Sequence, residues 1–122
     1  MDAKEFGKKG EGIAARHLEK LGYKVLEKNY RTPVGEIDIV ARDGQSVVFV
    51  EVKARRDASF GAPELKVDRR KQRQVSRAAF LYMTRKRVTN SPCRFDVVSV
   101  SATPGGYEVT VIKDAFELEG GY

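Results

Sequence analysis

The residues able to do chemistry here are acids, and their spacing suggests they meet. Asp38 and Glu51 are separated by twelve residues, Glu36 stands two positions before Asp38, and Lys53 stands two positions after Glu51. Side chains alternate between the faces of an extended strand. Glu36 therefore pairs with Asp38 and Glu51 with Lys53, while Ile37 and Ile39 share the opposite face, as do Val48, Val50 and Val52. A hairpin with an even-numbered loop puts Asp38, Glu51 and Lys53 on one side. With Asp43-Gly44 as the whole loop, Glu36 opposes Glu51; with two more loop residues, Asp38 opposes Glu51. Carboxylates beside a covered sheet are costly unless they meet a cation. Lys53 neutralises one of them, and a divalent ion would remove the remaining repulsion. An all-oxygen donor set suits Mg²⁺ or Mn²⁺ rather than zinc. A third carboxylate, Glu11, stands in line with an apolar helical stripe and so faces the protein. The same E-x-K spacing also serves an exposed strand-end ion pair with no chemistry.

These groups need elements to hold them. Asp2 to Leu21 reads as a helix, with Asp2 and Glu5 at capping spacing, Phe6, Ile13, Ala14, Leu18 and Leu21 at helical period, and Gly22 as the stop. Tyr23 to Lys28 reads as a short strand and Tyr30 to Val34, with Pro33, as a bend. Glu36 to Ala41 and Ser46 to Lys53 are strands joined at Asp43-Gly44, a good hairpin signal. The near-continuous run Val47 to Val50 marks a strand covered on both faces. Ala54 to Ala62 reads as loop, and Glu64 to Lys86 as a long helix with Pro63 in its first turn. Arg94 to Val100 and Tyr107 to Ile112 are strands around a Pro104-Gly105-Gly106 turn, and Asp114 to Leu118 a last helical turn. His17 reads as a boundary or core residue, Cys93 as a small buried or strand-edge side chain, and Phe80 and Tyr82 as core. The order predicts an α/β fold, a mixed central β-sheet flanked by helices, in one domain over residues 1–122.

Composition narrows the function. Between Lys53 and Arg94 stand 13 basic and 3 acidic residues, so the net charge of +6 conceals a concentrated basic segment. Such a segment suits a polyanion, because each phosphate neutralised releases condensed counterions. One cysteine and one histidine exclude an internal disulfide and a Cys/His zinc site. No apolar run approaches the ~20 residues of a membrane span, and the first residues lack the apolar core of a secretory signal. The expectation is a cytoplasmic protein without membrane contact.

Glu11, Asp38 and Glu51-Val52-Lys53, followed by a basic helix, resemble the PD-(D/E)xK nuclease signature. The spacing is similar to that of archaeal Holliday-junction resolvases, which also place a Glu on the first helix. More closely, the chain resembles the bacterial YraN-like family. The shared text is GxxGExxAxxxLxxxGYxxLxxNYR from Gly7 to Arg31, then GEIDIVARDG, VVFVEVKAR, and CRFDVV from Cys93 to Val98. Asp38 follows Ile37 rather than proline, a departure frequent in the wider superfamily.

The resemblance implies a restriction-endonuclease-like fold first and a Mg²⁺- or Mn²⁺-dependent DNA endonuclease second, structure-specific in repair or recombination. On that basis Asp38, Glu51, Glu11 and the Val52 carbonyl would hold the metal, and Lys53 would orient the attacking water or stabilise phosphate charge. Arg55, Arg56, Arg69, Arg70, Lys71 and Arg73 would track the nucleic-acid backbone, favouring shape over sequence. Gln74 and Glu36 would support the ligands from behind. A symmetric junction would call for a homodimer. Two other readings stay open: a non-catalytic nucleic-acid-binding module with a vestigial or partner-dependent site, and a domain whose basic helix docks an acidic protein.

Overall fold

The computed structural model describes residues 1–56 and 67–117. Helix α1 (Ala3–Lys20) starts where the Asp2 carboxylate accepts the Glu5 N–H at 2.8 Å. It stops at Leu21-Gly22, where Gly22 takes φ +98° and Tyr23 N–H reaches back to the Leu18 carbonyl. Strands β1 (Lys24–Thr32), β2 (Gly35–Asp43) and β3 (Ser46–Arg55) follow, then α2 (Arg69–Arg85), β4 (Cys93–Thr103) and β5 (Gly106–Phe116). The five strands form one sheet in chain order, antiparallel except for the β3–β4 pair. A parallel neighbour needs a crossover, and α2 lies in that connection. This is the expected α/β arrangement of a mixed sheet flanked by helices.

Each helix buries one face of the sheet. Ala14, Ala15 and Leu18 of α1 pack on Ile39, Ala41, Val48, Val50, Val98 and Val100. Val75, Ala78, Ala79, Tyr82 and Met83 of α2 pack on Val40, Val47, Phe49 and Phe95. Val47, Val48, Phe49 and Val50 are therefore all buried, odd positions under α2 and even ones under α1. That is why this strand reads as an unbroken apolar run.

Several local expectations are corrected. Tyr30 to Thr32 continue β1, and the turn is only Pro33-Val34, where Pro33 needs no ladder partner; Thr32 Oγ1 donates to the Gly35 carbonyl at 2.7 Å. The β2–β3 loop is Gly44-Gln45, because Gly44 supplies the positive φ (+60°) at the first loop position and Asp43 stays paired with Ser46. Of the expected long helix, Val67 and Asp68 are not helical and α2 begins at Arg69: Asp68 is extended and its side chain caps the Lys71 N–H at 2.8 Å. The expected loop and helix start between residues 57 and 66, Pro63 included, lie outside the described residues, as does Leu118. Asp114 to Phe116 are strand, with Asp114 at φ +55° beside a register shift in the β4–β5 pair and its N–H held by Asp96 Oδ1 at 3.0 Å. Phe80 is 42% exposed rather than core, while Tyr82 is buried.

Candidate metal and nucleic-acid site

Two strands lose their regular pleat at one point, and that point is Asp38. The β2–β3 ladder runs from Asp43↔Ser46 to Ile39↔Val50, a register that carried one step further sets Asp38 opposite Glu51. The backbone pairing stops there, and Asp38 Oδ2 instead accepts the Val52 N–H at 2.8 Å. On the other side, β1 pairs Lys28 with Ile39 and Tyr30 with Ile37 but skips Asn29, which takes φ +53°. Across this break the side chains change face: Ile39 packs under α1 and Ile37 under α2. The expectation that the two isoleucines share a face is thus overturned. A left-handed residue on one strand and the Asp38 carboxylate on the other displace the alternation together. Because backbone amides lie in the sheet, Asp38 is drawn along it toward β3 rather than out of either face.

Groups from both faces reach this carboxylate. Glu11 comes from α1. It lies close enough to Asp38 to feel its charge, and its pKa is raised by burial first and the Asp38 charge second. Helix α1 gets close because Gly10 has no side chain: a Cβ there would sit 2.7 Å from Ala54 Cβ on β3. Glu51 shares the parity of Phe49 and faces α2. Its side chain is 17% exposed, and Lys71 Nζ lies 3.7 Å from Oε2. Burial, then the charge of Asp38, pushes Glu51 up to about 7 against the pull of Lys71 and Lys53. Asp38 is also raised, by burial, despite the Val52 N–H and Lys71. Three carboxylates thus sit where ionising all of them is unfavourable.

The other sequence candidates take clear places. Lys53 faces α2 beside Glu51, opposite Ser99 of β4, whose buried Oγ has no hydrogen-bond partner among the described residues. The Val52 backbone contributes its N–H to Asp38. Glu36 is at the rim, 3.9 Å from Arg31. Gln74 lies against the start of β2, its Cγ 2.6 Å from where a Gly35 Cβ would be. Lys71 and Gln74 are three residues apart and share the face of α2 turned to the site. Lys71, grouped in the sequence with backbone-tracking cations, turns inward, whereas Arg69, Arg70 and Arg73 are exposed. Arg55 ends β3, and Arg56 Nη1 donates to the Met1 carbonyl at 3.1 Å. Among the described residues no three acidic, histidine or cysteine side chains close into a ready cage for an ion. The donors are of the kind a hard divalent cation takes, held near each other but not drawn tight.

Asn29 was not singled out by its sequence context. In the amide orientation that satisfies its surroundings, its nitrogen donates to Glu11 Oε1 at 3.0 Å and Glu36 Oε1 at 2.9 Å. The available signal was an asparagine between the strand read to Lys28 and the bend read from Tyr30, a residue type that tolerates a left-handed backbone.

Relatives of nearly the same length match most of the chain. It is 51% identical to a UPF0102 protein of Syntrophus aciditrophicus over 115 residues, covering 94% of this chain and 91% of that one. It is 47% identical to UPF0102 protein GSU0650 of Geobacter sulfurreducens, again covering 94% and 91%. A solved structure of Pyrococcus furiosus SfsA in complex with Ca²⁺ aligns at TM-score 0.41 and 15% identity, over 93% of this chain and 63% of that one. Among the described residues no helix is long and apolar enough to cross a membrane. The model of the uncharacterised protein family UPF0102 matches residues 10–100, which span Glu11, the Asp38 break, Glu51 to Lys53 and Ser99, and the chain belongs to that family, the YraN-like proteins.

Proposed function

We propose that the protein is a divalent-metal-dependent nuclease hydrolysing DNA phosphodiester bonds, structure-specific and acting in repair or recombination. The observation that carries this is that Glu11 from one face and Glu51 from the other both stand close enough to Asp38, at the break between β2 and β3, for its charge to raise their pKa values, with burial raising all three. Folding alone does not favour such a cluster, and a hard cation among these oxygens would offset its cost. Mg²⁺ or Mn²⁺, when bound, supplies charge that eases loss of a proton from water and withdraws charge from the scissile phosphate.

The chain's own groups divide the remaining work. Asp38, steadied by the Val52 N–H, and Glu51 would hold the ion from the sheet, Glu11 from the helix, with the Val52 carbonyl as a further oxygen. Lys53 would orient the attacking water or a phosphate oxygen. Arg55, Arg56, Arg69, Arg70 and Arg73 would hold the DNA backbone, and they offer no pattern for reading bases. On a symmetric four-way junction two chains would act together.

The test is a panel of duplex, flap, single-stranded and four-way DNA in Mg²⁺ and in Mn²⁺. At least one substrate is cut, and Asp38→Ala and Lys53→Ala abolish cutting while DNA binding persists. An uncut panel in both metals overturns catalysis.

One observation favours a second reading, a nucleic-acid-binding module without hydrolysis. Lys71 already stands at the Glu51 carboxylate, where a cation would compete with it. That reading expects salt-sensitive DNA binding and no rise in melting temperature with Mn²⁺, since an ion that binds only the folded state must stabilise it.

A further inference from the structure

Building on this metal-site reading, we infer that Asn29 is a positioning residue that holds the helix-borne Glu11 toward the sheet and Asp38. Its backbone is one of three non-glycine positions with positive φ among the described residues; the other two, Arg87 and Asp114, follow a helix end and sit in the β5 irregularity. Asn29 lies inside a paired strand, where a left-handed conformation carries a steric cost that asparagine bears more lightly than most residues. Its side chain is exposed, so packing does not account for that cost.

What the conformation achieves is local to the acids. It falls at the place in the β1–β2 ladder opposite Asp38, where Ile37 and Ile39 lie on opposite faces and the Asp38 carboxylate accepts the Val52 N–H. The same residue bridges Glu11 on α1 and Glu36 on β2, at 3.0 and 2.9 Å. A neutral amide suits that place. It donates two hydrogen bonds, satisfying both carboxylates without cancelling the negative charge a cation would need. Lysine or arginine would neutralise the cluster, and aspartate would repel it. Asn29 thereby ties the helix-borne acid to the sheet-borne ones.

The experiment compares wild type with Asn29→Gly, which keeps the left-handed backbone and removes the amide. Calorimetric Mn²⁺ titration is the first readout and the kcat–KM split on the cleaved DNA the second. The variant melts within a few degrees of wild type. It binds Mn²⁺ about 10-fold more weakly, with kcat lowered about 10-fold or more and KM little changed, as for other groups that orient metal ligands. In the metal-free protein, Glu11→Gln and Glu36→Gln each shift the Asn29 side-chain amide resonances. Wild-type Mn²⁺ affinity in Asn29→Gly, or amide resonances indifferent to Glu11→Gln, overturns the role of Asn29 alone. A wild type that gives no Mn²⁺ signal overturns the metal-site reading and this role with it.

Discussion

Glu51 shows what the cluster costs the fold. Its pKa is pushed up to about 7 from an ordinary 4.5, by burial first and by the Asp38 charge second. A raised carboxyl pKa means the folded state holds its proton more tightly than the unfolded chain. The group therefore contributes most below pH 4.5, and stability falls as pH rises through about 7. At about 1.4 kcal/mol per pKa unit the penalty at pH 8 is roughly 1–3 kcal/mol, because Asp38 and Lys71 share the effect. Glu51→Gln should thus be more stable than wild type at pH 8 and nearly equal at pH 4.5, by urea unfolding without metal. A variant less stable at pH 8 would mean the carboxylate is not strained. Ser99 behaves similarly on a smaller scale: Ser99→Ala removes a buried hydroxyl that has no hydrogen-bond partner among the described residues, and is expected to be neutral or slightly stabilising.

Among the elements, the approach of α1 to β3 decides whether Glu11 arrives. Gly10 permits it, since a Cβ there would meet Ala54 Cβ at 2.7 Å, a contact neither backbone can easily relieve. Gly7, one turn earlier, has nothing within 4 Å. Helix propensity alone makes both Gly→Ala changes favourable by about 1 kcal/mol. Gly7→Ala should stabilise by that amount, while Gly10→Ala should destabilise by about 1–3 kcal/mol, as overpacking does; denaturant midpoints separate the two. At the far end of the sheet a polar knot joins Tyr23, just before β1, to β2, β4 and β5. The Arg94 guanidinium bonds Asp43 at 2.7 Å, Asp96 at 3.0 Å and the Tyr23 hydroxyl at 2.8 Å, and that hydroxyl donates to fully buried Asp96 at 2.8 Å. Arg94→Leu would leave a buried charge poorly paired and cost about 3–5 kcal/mol. Burial and the Asp96 bond push Tyr23 up to about 12, so its contribution is intact below pH 10 and is lost as pH climbs through 12. Tyr23→Phe should flatten that alkaline loss in a pH series of melts.

Across the molecule, charge is sorted by position. The acids converge at the β2–β3 break, Lys71 turns to meet them, and Arg69, Arg70 and Arg73 remain exposed on the same end of α2. A phosphate backbone held by those arginines would lie beside the carboxylates rather than on a remote face. Arg69→Ala and Arg73→Ala should each lower the slope of log affinity against log salt by about 1, alike for every DNA sequence. An unchanged slope would show that DNA does not cross this end of the helix. Lys71→Ala is expected to act differently, through Glu51, leaving that slope nearly intact.

Much of this was legible in the linear chain, because it depends on local periodicity. Alternation over Glu36–Ala41 and Ser46–Lys53 marks two strands. The unbroken run Val47–Val50 marks the doubly covered one, and the position of Glu11 on its stripe turns it inward. Spacing alone thus named Glu11, Asp38, Glu51 and Lys53. It misjudged whatever depends on a departure from regular period: the shared face of Ile37 and Ile39, the loop at Gly44-Gln45, the strand ending at Phe116. Only the tertiary structure decided that Asn29 and Asp38 break the pleat at the same place and that Lys71 leaves the basic face for Glu51. Those outcomes follow from contacts between residues distant in the chain, where a desolvated charge takes the nearest donor whatever its own segment would prefer.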